Sequence, residues 1–200
     1  MSSTLAILAG GRGSRMGVPK DRLFVGDRPI LVHLLERARW AGPTLLVASR
    51  DRPEPVGFER FDRVTFDAET GQGPLAGIAA ALAACATPTV VVMSVDMPNV
   101  GAEQIEWLTA ELDARPGAAG VMCRRRGDEG DEQIEPFPAI FRAEALPLVA
   151  AELAAGRRSL HGLLRLPRFL AADVPAGWPK STWLNCNRPD DLAAAGAELR

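Results

Sequence analysis

Several absences narrow the field first. Only two histidines, His33 and His161, occur in 200 residues. A histidine-rich metal site or a Ser-His-Asp triad is therefore not expected. His33 falls inside a helical pattern and reads as a surface or boundary residue rather than a catalyst. Cysteine is equally sparse: Cys85, Cys123 and Cys186 stand far apart with no C-x-x-C spacing. An odd, unpaired set points to a reducing compartment and to small core residues. There is no basic excess, since the formal net charge is −2, which excludes general nucleic-acid binding but not a local basic pocket. No apolar run approaches the roughly 20 residues of a membrane helix, and no basic segment followed by an apolar stretch marks a signal peptide. A cytoplasmic protein without membrane or nucleic-acid partners is expected.

What is present is an alternation of short apolar strands with helical stretches. Thr4–Ala9, Thr44–Ala48, Arg63–Phe66, Thr89–Val95 and Ala118–Cys123 read as strands. "TVVVMSV" is the clearest buried one. Pro29–Ala41 reads as a helix with Ile30, Leu31, Leu34, Leu35 and Ala38 on one face, and proline suits its first turn. Pro74–Cys85 and Ala102–Ala114 are the next helices. Arg124–Glu132, "RRRGDEGDE", reads as an exposed charged loop. Beyond it, Ile134–Arg142 is extended, Ala143–Ala155 helical and Phe169–Val174 extended, "WLNCN" is a short last strand, and Asp190–Leu199 is helical. Strand and helix in series predict an α/β protein: a single-domain, Rossmann-like three-layer fold over residues 1–200 with a mainly parallel, mixed central sheet.

The first strand runs into "LAGGRGSRMGVPK", Leu8 to Lys20. Glycines let a backbone approach phosphate oxygens, and ligands of open parallel sheets sit beyond the carboxyl ends of strands. The spacing G-x-G-x-x-x-G fits neither the dinucleotide fingerprint nor the Walker pattern. Arg12, Arg15 and Lys20 exceed what a hydride-transfer cofactor needs, but suit a triphosphate that releases pyrophosphate.

These residues resemble the molybdenum cofactor guanylyltransferases, whose pattern L-A-G-G-x-x-x-R-M-G-x-x-K is matched at Leu8, Ala9, Gly10, Gly11, Arg15, Met16, Gly17 and Lys20. Pro19 stands where that family often has Asp, as it does in related sugar and cytidylyl enzymes. Further matches follow in order: "GPLAG" (Gly73, Pro74, Leu75, Ala76, Gly77), "VDMP" with Asp96, and "WLNCNRPDDL" with Asn185 and Asn187. "EPFPAIF" (Glu135–Phe141) is a looser echo.

The resemblance implies transfer of GMP from GTP to the phosphate of molybdopterin. The alternative is nucleotidyl transfer to another small phosphorylated acceptor, such as a cytidylyl pterin, a sugar phosphate or an alcohol phosphate. No covalent nucleophile is required for such a reaction; alignment, charge neutralisation and a metal suffice. The resemblance implies backbone N–H groups of Gly10 and Gly11 on phosphate, with Arg15 and Lys20 on the shifting charge. Asp96 would hold Mg²⁺, Asn187 offering a second oxygen, and Leu8 and Ala9 would lead the nucleotide loop. Guanine shows two donors side by side, which one carboxylate can accept; the resemblance implies Asp67 as that acid, with Glu69 as its local rival. Ser49 falls near the nucleotide, and Gly73 and Gly77 would admit the base. Arg124, Arg125 and Arg126 either meet the acceptor's phosphate or form a solvated run balanced by the acids after them. A homo-oligomer or a protein partner from the cofactor pathway is left open.

Overall fold

The computed structural model describes residues 2–9, 22–66, 73–127, 130–186 and 191. Nine strands and four α-helices lie among them. β1 (Ser3–Leu8), β4 (Thr44–Ala48), β5 (Arg63–Phe66), β6 (Thr89–Ser94), β7 (Gly120–Arg126), β8 (Glu132–Arg142) and β9 (Phe169–Asp173) form one sheet in the order β5-β4-β1-β6-β8-β7-β9. A separate ribbon pairs β2 (Phe24–Val25) with β3 (Arg28–Pro29). The helices are α1 (Ile30–Ala38), α2 (Pro74–Ala84), α3 (Ala102–Asp113) and α4 (Leu146–Ala154).

The pairs β1·β4, β1·β6, β4·β5 and β7·β9 are parallel; β8 is antiparallel to both neighbours. The sheet is thus mainly parallel and mixed, as the strand–helix alternation predicts. From β1 the chain moves through β4 to β5, then returns to β6 on the other side of β1. Right-handed crossovers in opposite directions put α1 and α2 on opposite faces of the sheet. Accordingly α2 packs on β1, β4, β5, β6 and α4, while α1 packs on α3. Strands covered on both faces read as continuous apolar runs, and Leu5–Ile7 and Val90–Val92 are wholly buried.

Several expectations need correction. The helix expected over Pro29–Ala41 spans Ile30–Ala38: Pro29 belongs to β3, and Arg39 ends the helix in the left-handed region at φ 47°. His33 is not a surface residue; it is buried on α1, with the imidazole against the Pro98 carbonyl. The ribbon β2–β3, turning at Gly26 with φ +63°, went unread. The segment Arg124–Glu132 is not one loop, because the three arginines extend β7 and pair in register with Glu132, Gln133 and Ile134 of β8. Charge neutralised across strands makes this possible: Arg124 forms a bidentate pair with Asp173 of β9, and Arg125 pairs with Glu135. β7 starts at Gly120 rather than Ala118, and β8 loops out residues 136–138 where the register shifts. The stretch 143–154 is a 3₁₀ turn followed by α4. The described part of "WLNCN", residues 183–186, forms no strand: Lys180–Trp183 is a 3₁₀ turn, and 184–186 are irregular. The expected last helix lies outside the described residues except for Asp191. Cys123 and Cys186 are buried core thiols and Cys85 is half-buried; burial holds the Cys123 thiol far above its usual range.

Candidate nucleotidyl-transfer site

Four parallel strands, β5-β4-β1-β6, end along one edge. Register places Leu8 beside Val47 and Ser94, and Ala48 beside Phe66. Two bonds carry the ladder past the strand ends: Ala9 N–H donates to the Val47 carbonyl at 2.9 Å, and Val95 N–H to that of Leu8 at 3.1 Å. β1 is where strand order reverses, so the crevice for a ligand opens beyond it. There the chain enters residues 10–21. Gly10, Gly11, Arg12, Arg15 and Lys20 lie outside the described residues, as do Asp67, Glu69 and Asn187. Their attachment points do not: Ala9 at the end of β1, Phe66 at the end of β5 and Cys186 all stand in the structure. Leu8 and Ala9 are buried, so their side chains serve the core while the backbone launches the loop.

Past β4, the buried Ser49 hydroxyl donates to Asp51 Oδ1 at 2.8 Å. It braces the turn. Beside it the Arg50 guanidinium sits over the Phe66 ring, 5.6 Å from its centroid. This cation–π contact was not foreseen, although an exposed Phe closing a strand was the available signal.

At the head of α2, Gly73 has φ +77° and ψ 179°, a conformation essentially reserved for glycine. Pro74 follows as the first helical residue, where its missing N–H costs nothing. Gly73 and Pro74 are exposed, whereas Leu75 and Gly77 are buried. A Cβ on Gly77 would stand 3.2 Å from Leu8 Cδ1. The smallness of Gly77 therefore lets α2 pack against the end of β1, with no base needed to explain it.

Asp96 is half-buried, two residues past β6. The Cys186 N–H donates to its carbonyl at 2.7 Å, which fixes the residue preceding Asn187 beside it. No group of three or more His, Cys, Asp or Glu suited to a metal occurs among the described residues. A single carboxylate at a strand end suits Mg²⁺, which keeps several waters and binds through one or two carboxylates plus phosphate oxygens.

The upper parts of β7 and β8 run on past the end of β6 and wall this side of the edge. Arg124 and Arg125 are committed to Asp173 and Glu135, which favours the balanced-run reading for these two; Arg126 is exposed. The third rim comes from residues 156–161. Arg157 turns back to Glu152 with bonds of 2.7 and 2.6 Å, and holds that carboxyl below its usual range. Arg158 instead lies at the head of α2, its Cβ 3.7 Å from where a Gly73 Cβ would be. His161 donates from Nε2 to the Ile134 carbonyl at 3.1 Å, tying this rim to the wall. Arg158 escaped the sequence reading; the adjacent cations after α4 were its signal.

A glycine-and-cation segment leaving a topological switch point, with a carboxylate on the next strand end, defines an α/β enzyme that transfers nucleotidyl groups. Comparison with known proteins gives the same class and a family. Residues 5–174 match the MobA-like NTP transferase domain, and the chain belongs to that family. A molybdenum cofactor guanylyltransferase of Xanthomonas euvesicatoria pv. vesicatoria is 34% identical, covering 94% of this chain and 90% of its own. One from Cereibacter sphaeroides is 32% identical over 97% and 95%. Among solved structures, molybdopterin-guanine dinucleotide biosynthesis protein A of Archaeoglobus fulgidus superposes with a TM-score of 0.78 at 24% identity, covering 98% of each chain. The 2-C-methyl-D-erythritol 4-phosphate cytidylyltransferase of Thermus thermophilus gives 0.72 at 20%, covering 100% of each. These likenesses show the fold. No described helix is long and apolar enough to cross a membrane.

Proposed function

We propose that this enzyme transfers GMP from GTP to the phosphate of molybdopterin, and that residues 1–200 act as one nucleotidyltransferase domain. The observation that carries the reading is near full-length similarity to named molybdenum cofactor guanylyltransferases, joined to a strand edge arranged for a nucleotide. An oxygen of the acceptor's phosphate attacks the α-phosphorus of GTP. The bond from that phosphorus to the bridging oxygen breaks, and pyrophosphate leaves with the electron pair. The chain's task is alignment and charge neutralisation. Gly10 and Gly11 offer N–H groups to the phosphates, and Arg15 and Lys20 offset the charge gathering on the leaving group. Asp67 accepts the two guanine donors. Asp96, with Asn187, would hold Mg²⁺, which supplies positive charge to phosphate oxygens. Purified enzyme, molybdopterin and each of the four nucleoside triphosphates test this by pyrophosphate release and product mass. GTP alone should support turnover and give the guanine dinucleotide. Turnover with CTP instead would replace this reading by the cytidylyl one.

A further inference from the structure

His33 and Arg37 are four residues apart on α1 and so share a face. His33 Nε2 donates to the Pro98 carbonyl at 2.9 Å, and Arg37 Nη2 donates to the Asn99 carbonyl at 2.8 Å. One helix thus grips two successive carbonyls in the connection from β6 to α3, two and three residues after Asp96. Within that connection the local bonds are longer, Met97 N–H to Ser94 at 3.2 Å and Val100 N–H to Met97 at 3.3 Å. Its far side is fastened to the C-terminal segment, through Asn99 Nδ2 on the Ser181 carbonyl at 2.9 Å and Cys186 N–H on that of Asp96.

We propose that His33 and Arg37 are positioning residues for the Asp96 carboxylate, holding from α1 the turn that presents it. This rests on the nucleotidyl-transfer reading of Asp96. Packing alone would not select histidine here. His33 is buried on the helix that also carries the wholly buried Ile30 and Leu34, and an imidazole at such a place loses solvation that leucine would not. Burial pushes its pKa down, so it is neutral at pH 7, with its proton on Nε2 because a carbonyl can only accept. The same helix is anchored toward the cation loop: the Ile30 N–H donates to the Leu23 carbonyl at 2.8 Å, two residues beyond residue 21. α1 therefore holds both Leu23 and the turn after Asp96.

The test uses His33→Leu, His33→Gln and Arg37→Met. Mn²⁺ binding in the presence of a non-hydrolysable GTP analogue is read by electron paramagnetic resonance, beside kcat, KM and thermal midpoint. A small misplacement of a reacting group costs up to about a hundredfold in rate, so His33→Leu should lower kcat by roughly ten- to a hundredfold and weaken Mn²⁺ in the ternary complex. KM for the metal–GTP complex should rise in step with the loss of Mn²⁺ affinity, because the two are thermodynamically linked, while binding of metal-free GTP stays within about twofold. Gln, whose Nε2 can donate to the same carbonyl, should restore most of both losses. Should His33→Leu fail to fold, Arg37→Met carries the same readouts with the histidine in place. Wild-type Mn²⁺ affinity and kcat in folded His33→Leu or Arg37→Met, with only the midpoint lowered, overturn the proposal. If Asp96→Asn leaves Mn²⁺ binding intact, the Asp96 reading falls and takes the proposal with it; that outcome is separable because it does not depend on α1.

Discussion

Gly73→Ala isolates a backbone effect at the head of α2. At φ +77° and ψ 179° an L-residue is strained by about 1–3 kcal/mol. Steric conflict adds little, since a Cβ there would meet nothing nearer than the Arg158 carbonyl at 3.5 Å, an ordinary contact. A domain of this size loses about 2–4 °C of midpoint per kcal/mol, so a cost of about 2 kcal/mol lowers it by roughly 4–8 °C. The chain can relieve the strain only by moving residues 73–74, the exposed start of α2 at the nucleotide edge. GTP affinity should therefore fall along with stability. Gly117→Ala is the control: its Cβ would meet nothing within 4 Å and no positive φ applies, so it should be neutral or gain up to about 1 kcal/mol. Differential scanning calorimetry and GTP titration of both variants decide the matter. Equal midpoints for the two variants, with equal GTP affinity, would refute the reasoning.

Lys20→Ala should cut turnover by about 10²–10³, the usual loss when one donor to a developing oxyanion is removed; near-normal single-turnover kinetics would take Lys20 out of the mechanism. Asp67→Ala should weaken GTP binding more than ATP or CTP binding and narrow a preference that a hydrogen-bonding site can raise to roughly 10⁴. Calorimetric titrations showing an unchanged preference would assign guanine recognition elsewhere, Glu69 first. Asp62 accepts from Thr44 N–H at 2.8 Å and Thr44 Oγ1 at 2.9 Å, and these bonds hold its carboxyl below the ordinary range. The sign follows: its contribution is complete above the unfolded value of about 3.9 and is lost as pH falls through the lower folded value. The midpoint gap between wild type and Asp62→Ala should thus be open at pH 7 and close in strong acid; a gap independent of pH would contradict this.

The centre of the parallel half, β4, β1 and β6, was legible because both its faces are covered, and β5 was legible although largely exposed. Thr44–Ala48 and Arg63–Phe66 come out as read, β6 ends one residue sooner, and β1 is shifted by one residue at each end. The second half was less legible because its strands are held by cross-strand charge. Arg124 and Arg125 look like loop residues until Asp173, distant in sequence, and Glu135, on the neighbouring strand, are set beside them. His33 was misjudged for a related reason. Its partner is a backbone carbonyl 65 positions away, and no local pattern announces such a bond. At the candidate site, the motifs named which residues to look for. That "GPLAG" opens a helix with small packing residues was readable too, but that Gly77 packs on Leu8 was not, since it depends on where Leu8 points.

The central place of β1 has a consequence for synthesis on the ribosome. Its β4 side can be covered once residue 48 has emerged, but its other side waits for β6, which ends at residue 94. The 46 residues between (49–94) take about 2–9 s at 5–20 residues per second. For that interval Leu5–Leu8 presents an open apolar edge, a ready template for pairing with another nascent chain. A ribosome stalled between these points would thus hold a chain whose most buried strand is, for the moment, its most aggregation-prone.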